Sequence, residues 1–101
     1  MKMILKLITA VTFTALTLPV LAGDAAAGKA KSAVCAACHG PEGISAADIW
    51  PNLAGQKKGY LVKQIKAFRD GTRKDPSMQP MVANLTDEDI ENLATYYSSM
   101  K

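Results

Sequence analysis

The sequence predicts an all-α domain in which three helices carry two long irregular loops. Apolar side chains recur at helical spacing in three separate segments. Glycine and proline crowd the stretches between them, where regular structure cannot persist. No run alternates apolar and polar residues between turn signals, as a half-buried strand would.

The first helix is expected over residues 25–37, with Asp24 as its N-cap and Ala, Val and Lys as its main content. The second is expected over 59–70, where Leu61, Ile65 and Phe68 fall at i, i+4 and i+7 on one face. Gly71 stands where a terminating left-handed glycine belongs. The third is expected over 87–100. Thr86 is its N-cap, Asp87, Glu88 and Asp89 suit the positive end of the helix dipole, and Ile90, Leu93, Ala94 and Tyr97 form its apolar stripe. The loop over 40–58 holds Gly40, Pro41, Gly43, Pro51 and Gly55, and the loop over 71–85 holds Pro76 and Pro80 around Met78 and Met81. Loops of this length in so small a domain carry function, and these two must wrap something.

At 101 residues the chain is one domain, too short for a doubly wound nucleotide-binding unit or an eight-stranded α/β barrel. Its 49% apolar and 6% aromatic content is globular rather than disordered. Residues 1–22 read as a cleaved secretory signal peptide. Lys2 and Lys6 form a positive start, an apolar run from position 7 to 18 follows, Pro19 ends it, and cleavage is expected after Ala22. The apolar run is shorter than the ~20 residues a spanning helix needs, which weighs against a retained membrane anchor. Cleavage would leave 79 residues with ten basic and nine acidic side chains, so the net charge falls from +3 to +1. A basic patch for nucleic acid is not supported, and a core this small needs a staple.

The chemistry sits in Cys35-Ala36-Ala37-Cys38-His39, a C-x-x-C-H sequence of the kind to which haem is attached. Two cysteines at this spacing reach the two vinyl groups of a haem as thioethers, and the adjacent histidine comes under the iron as an axial ligand. The motif uses both cysteines and the one histidine of the chain. A closed zinc site wants four such ligands, and only three are available. A thioredoxin-like pair wants a preceding strand in a βαβ pattern, and none is visible. A structural disulfide is allowed in an exported protein but leaves His39 and the two loops unexplained. Haem c is attached outside the cytoplasm in bacteria, so leader and motif agree.

A second axial donor must come from a methionine if the iron is six-coordinate. Met100 lies at a helix end, whereas Met78 and Met81 lie in a proline-bracketed loop whose restricted backbone helps hold a weak thioether donor. The residue types do not separate these two, and either could instead be core filler.

Taken together these residues resemble the small bacterial class I cytochromes c, and in particular one half of the dihaem bacterial cytochromes c. The similarity runs through Ala27-Gly28, the C-x-x-C-H-G block, Trp50-Pro51-Asn52-Leu53-Ala54-Gly55-Gln56, Tyr60-Leu61-Val62-Lys63-Gln64, Met78, and Leu85-Thr86-Asp87-Glu88-Asp89-Ile90. The resemblance implies a class I fold of three main helices and two loops around one haem c, attached through Cys35 and Cys38. It implies His39 and Met78 as iron ligands, with Met81 the second choice, and Pro51 as the residue whose carbonyl accepts the imidazole N–H. Leu53 and Ile65 match haem-packing positions, and Gly28 and Tyr96 match the crossing of the first and last helices. Asn52 stands where relatives often carry lysine, a departure at a position tied to propionate contact.

Trp50 reads equally as a haem-edge contact or a core aromatic. Tyr60 and Gln64 read as surface helix residues or haem-edge contacts. Lys57, Lys58, Lys63 and Lys66 read as a solvated face, with a docking patch as the alternative. The expected function is a periplasmic electron carrier, not an enzyme, that meets redox partner proteins as a monomer or weak oligomer. The alternatives are a haem subunit of an exported dehydrogenase or oxidase, and a five-coordinate peroxidase-like or gas-binding protein.

Overall fold

The computed structural model describes residues 9–12 and 23–101. The expected leader over 1–22 lies outside the described residues apart from that short piece. Among the described residues the order is α1 (Ala25–Lys31), α2 (Ala33–His39), α3 (Lys58–Asp70), α4 (Gln79–Val82) and α5 (Asp87–Ser98), with no strand.

Asp24 caps α1 by accepting from the Ala26 and Ala27 amides. The single helix expected over 25–37 is instead two. The Ser32 hydroxyl donates to Lys29 O at 2.7 Å, the carbonyl that the Ser32 amide also contacts at 3.2 Å. A side chain competing for its own helix's carbonyl tightens the turn there. The Ala36 amide still bonds Ser32 O, so helical winding resumes and carries the C-x-x-C-H segment on α2 to its last residue.

α3 begins one residue earlier than expected and ends on Gly71, which is left-handed as expected. α5 starts with a reciprocal capping box between Thr86 and Asp89. It stops at Ser98 rather than Met100: the Ser99 hydroxyl donates to Tyr96 O at 2.7 Å and the Met100 amide turns to Tyr97 O, the carbonyl that the Gly55 amide from the 40–57 loop also bonds. α4 has no counterpart among the expected helices, since two prolines favour a plain loop. Pro80 falls in the first turn of α4, where a missing N–H costs nothing.

α5 packs against both α1 and α3, and α4 rests on α3. Leu61, Leu93, Ala94 and Tyr97 form the centre of the core, with Leu53, Val62, Ile65, Leu85 and Met100 half-buried around it. α1 crosses α5 at Gly28, where a Cβ would sit 2.1 Å from the Asn92 carbonyl oxygen and 2.8 Å from Tyr96 Cβ. The crossing is fastened by the Asp24 amide, which donates to the buried Asn92 side chain at 2.8 Å. No helix among the described residues is long and apolar enough to cross a membrane.

Candidate functional site

Cys35, Cys38 and His39 lie within one turn of α2, so the i, i+3 and i+4 spacings bring all three to one side of the helix. Both cysteines are free, Cys35 half-buried and Cys38 exposed. Burial pushes the Cys35 thiol up, opposite to the lowered value that a disulfide-exchange cysteine requires. The redox-pair reading thus lacks its electrostatics. Among the described residues no three His, Cys, Asp or Glu side chains converge as a chelating set for a bare metal ion.

His39 is buried, and its Nδ1 lies 2.8 Å from the Pro51 carbonyl oxygen. A carbonyl can only accept, so Nδ1 carries the proton and Nε2 keeps its lone pair for a metal. The loop that delivers Pro51 is built for that placement. Gly40 ends α2 with φ at 89°, and a Cβ there would sit 1.9 Å from Ile44 O. The Gly43 carbonyl then accepts from both Leu53 and Ala54 amides at 2.7 and 3.0 Å, closing the loop on itself. Inside it, the Asn52 side chain accepts from the Ser45 amide at 2.8 Å, and the Ser45 hydroxyl donates to Trp50 O. The Asn52 side chain is therefore occupied within its own loop.

The second loop is equally built. The Asp75 carboxylate accepts from the Ser77 and Met78 amides at 2.8 and 3.3 Å, an Asx turn that sets the backbone of Met78 at the foot of α4. Met78 is half-buried, whereas Met81, one turn on, is 48% exposed. Burial thus separates two methionines that residue type leaves equivalent. Met100, half-buried against the core cluster, serves as filler.

Leu53 and Ile65 are half-buried against the core. Trp50 is exposed and lines a shallow depression of about 310 Å³ with Ile44, Ser45, Ala47, Asp48 and Asn52, so it is no core aromatic. Tyr60 is exposed, while Gln64 accepts from Arg73 at 2.8 Å. Lys58 pairs with Glu91 at 3.5 Å. The residue pattern does not reveal Asp75, Asn92, Tyr97 beside Cys35, or Arg69, which bonds Leu85 O and Asp87. Of these only Asp75, preceding a proline and a serine, carries a local turn signal.

These residues fit a haem. The histidine is fixed with the correct nitrogen free, two thiols stand on its side of the helix, and a shell of half-buried apolar side chains (Leu53, Val62, Ile65, Leu85) borders the core. The Tyr97 hydroxyl is buried beside Cys35 and Ser32 without a hydrogen bond of normal geometry, an under-satisfied polar atom at the edge of the motif.

Comparison with known proteins agrees. The family model for cytochrome c matches residues 25–101. The chain is 53% identical over 83 residues to cytochrome c-554(548) of Halomonas halodenitrificans, covering 79% of this chain and 100% of that one. It is 50% identical over 80 residues to cytochrome c4 of Pseudomonas aeruginosa, covering 79% of this chain and 40% of the relative. The crystal structure of reduced cytochrome c4 from Pseudomonas stutzeri superposes with a TM-score of 0.76 at 45% identity, over 79% of this chain and 47% of that one. The chain thus spans less than half of the cytochromes c4, as a single-haem counterpart to half of a dihaem protein would. With the family match running through the whole helical region and the class I architecture shared at this identity, the chain belongs to the cytochrome c family and takes a c-type haem.

Proposed function

We propose that the protein is an exported, periplasmic electron carrier in which His39 and Met78 ligate the iron of one haem bound through Cys35 and Cys38. The observation that carries this reading is the hydrogen bond from His39 Nδ1 to Pro51 O. It fixes the tautomer, stops the ring from rotating and raises the basicity of Nε2. Bound haem supplies a one-electron ferrous/ferric couple whose potential rises with a thioether ligand.

The chain's own residues do the rest. Met78 is offered from an Asx-turned, half-buried backbone, and its soft sulfur favours the ferrous state. His39 and Met78 would together hold the iron and would leave it no open position for a substrate, so the site would pass electrons rather than transform molecules. Leu53 and Ile65 would exclude water from a bound haem, Trp50 would stand at its exposed edge, and two hydrogen-bonded loops would keep the ligands in place between oxidation states. Partners are redox proteins that meet an exposed edge briefly. The leader over 1–22 is removed after Ala22 on export.

An optical spectrum of periplasmic protein tests the reading, together with a denaturing gel that shows whether haem stays covalently attached. A ferric methionine–iron charge-transfer band is expected, abolished by Met78→Ala and kept by Met81→Ala. Loss in Met81→Ala with retention in Met78→Ala reverses the ligand assignment. Rapid carbon monoxide binding to unaltered ferrous protein would mark an open iron and defeat the carrier reading.

A further inference from the structure

We infer that Arg69 is a positioning residue that latches the methionine loop shut and so sets how often Met78 leaves the iron; this rests on Met78 being the ligand. Arg69 stands in the last turn of α3, two residues before the loop begins at Gly71. From there its Nη1 donates to Leu85 O, at the far end of the same loop, at 3.2 Å. The same nitrogen donates to Asp87 Oδ1 at 2.8 Å, and Nε donates to Asp70 Oδ1 at 3.0 Å. One guanidinium thus ties the start of the loop to its finish, and Met78 and α4 lie on the closed segment between. The Arg69 side chain is 21% exposed, while Asp87 is 70% exposed. The hydrogen bond from Arg69 holds the Asp87 carboxyl below its usual range, with the charges of Lys66 and Arg69 adding to it.

A second arginine reinforces closure from inside the loop. Arg73 donates to Gln64 at 2.8 Å and stacks 4.5 Å over the Phe68 ring, so the first residues of the loop fold back onto α3. What then limits opening is the contact at the other end. An exposed ion pair contributes little to global stability. A contact made only when the loop is closed acts in full on the equilibrium between closed and open loop, which is a local opening. Arginine suits the task because its rigid fork spreads donors over two nitrogens, Nη1 for Leu85 O and Asp87 and Nε for Asp70, where an ammonium has a single nitrogen.

The test uses haem-loaded ferric protein and cyanide, which binds the iron only where the thioether has left it. Arg69→Ala should raise the cyanide binding rate by about 5-fold, the upper range for an exposed charge pair. Asp87→Asn, which removes one partner and keeps the helix start, should give a smaller change in the same direction, and Arg69→Lys should restore only part of the loss. Lys58→Ala, at a different α3–α5 ion pair, should leave the cyanide rate unchanged. Cyanide rates equal to wild type in both Arg69→Ala and Asp87→Asn overturn the latch. So does an equal acceleration in Lys58→Ala, which would mean general loosening. A Met78→Ala protein that keeps the band overturns the ligand assignment and the latch with it, whereas loss of the band there with no Arg69 effect sinks the latch alone.

Discussion

Replacing Gly28 with alanine sets two opposed effects against each other at one atom. Gly28 is inside α1, and alanine there favours the helix by about 1 kcal/mol over glycine. The added methyl would lie 2.1 Å from Asn92 O, 2.6 Å from Asn92 C and 2.8 Å from Tyr96 Cβ, where ordinary contact begins near 3.4 Å. The nearest atoms are backbone of α5, so no side chain can swing away, and α1 must lift by roughly an ångström. That displacement also strains the 2.8 Å bond from the Asp24 amide to Asn92. Overpacking costs about 1–3 kcal/mol, and a shift of α1 as a whole is taken at the middle of that range. With the lost tie to Asn92 added at about 1 kcal/mol, the net effect is a destabilisation of about 2 kcal/mol. In a domain of this size each kcal/mol moves Tm by about 4–8 °C, so a fall of about 8–16 °C is expected. Thermal unfolding of the haem-loaded protein, followed by circular dichroism, measures it. Gly59→Ala is the control, because a Cβ there meets nothing within 4 Å and should hold or raise Tm. A Gly28→Ala Tm equal to or above wild type would refute the close crossing.

Two further outcomes follow from the caps and turns. Gly40→Ala forces a left-handed backbone on a residue with a side chain and drives its Cβ to 1.9 Å from Ile44 O. Since this turn starts the loop that brings Pro51 to His39, the yield of haem-loaded protein should drop and stability should fall by about 2 kcal/mol or more, read by denaturant titration. The hydrogen bond from the Thr86 amide holds the Asp89 carboxyl below its usual range. A lowered native value means that this contribution is fully present above the ordinary carboxylate value of about 3.9 and is lost as pH falls through the lowered one. Asp89→Asn should therefore flatten the acid limb of a stability-versus-pH curve below about pH 4; an unaltered limb would show that the capping box does not govern it.

Much of the site is legible in the sequence because the controlling contacts are short. A C-x-x-C-H run needs only five consecutive residues, and Asp24, Thr86 and Gly71 act on amides or carbonyls within one turn of themselves. Local competition is harder to read. The break at Ser32 depends on whether a hydroxyl takes a carbonyl that the backbone also wants, and α4 depends on Pro80 falling in a first turn rather than a later one.

Residue pattern therefore determined the helical class, the covalent chemistry and the choice of His39 as candidate ligand, all of which arise from neighbours in the chain. The resemblance of the Trp50–Gln56 block implied the bond from His39 to the Pro51 carbonyl, 12 residues on, and the structure holds it; packing alone supplied the tie between Asp24 and Asn92 across 68 residues and the clasp of Arg69 on Leu85 across 16. It also distinguished the half-buried Met78 from the exposed Met81. The physical reason is that backbone carbonyls and burial carry no signature in residue type. A carbonyl is the same at every position, and a methionine's exposure is fixed only when helices from distant parts of the chain close around it.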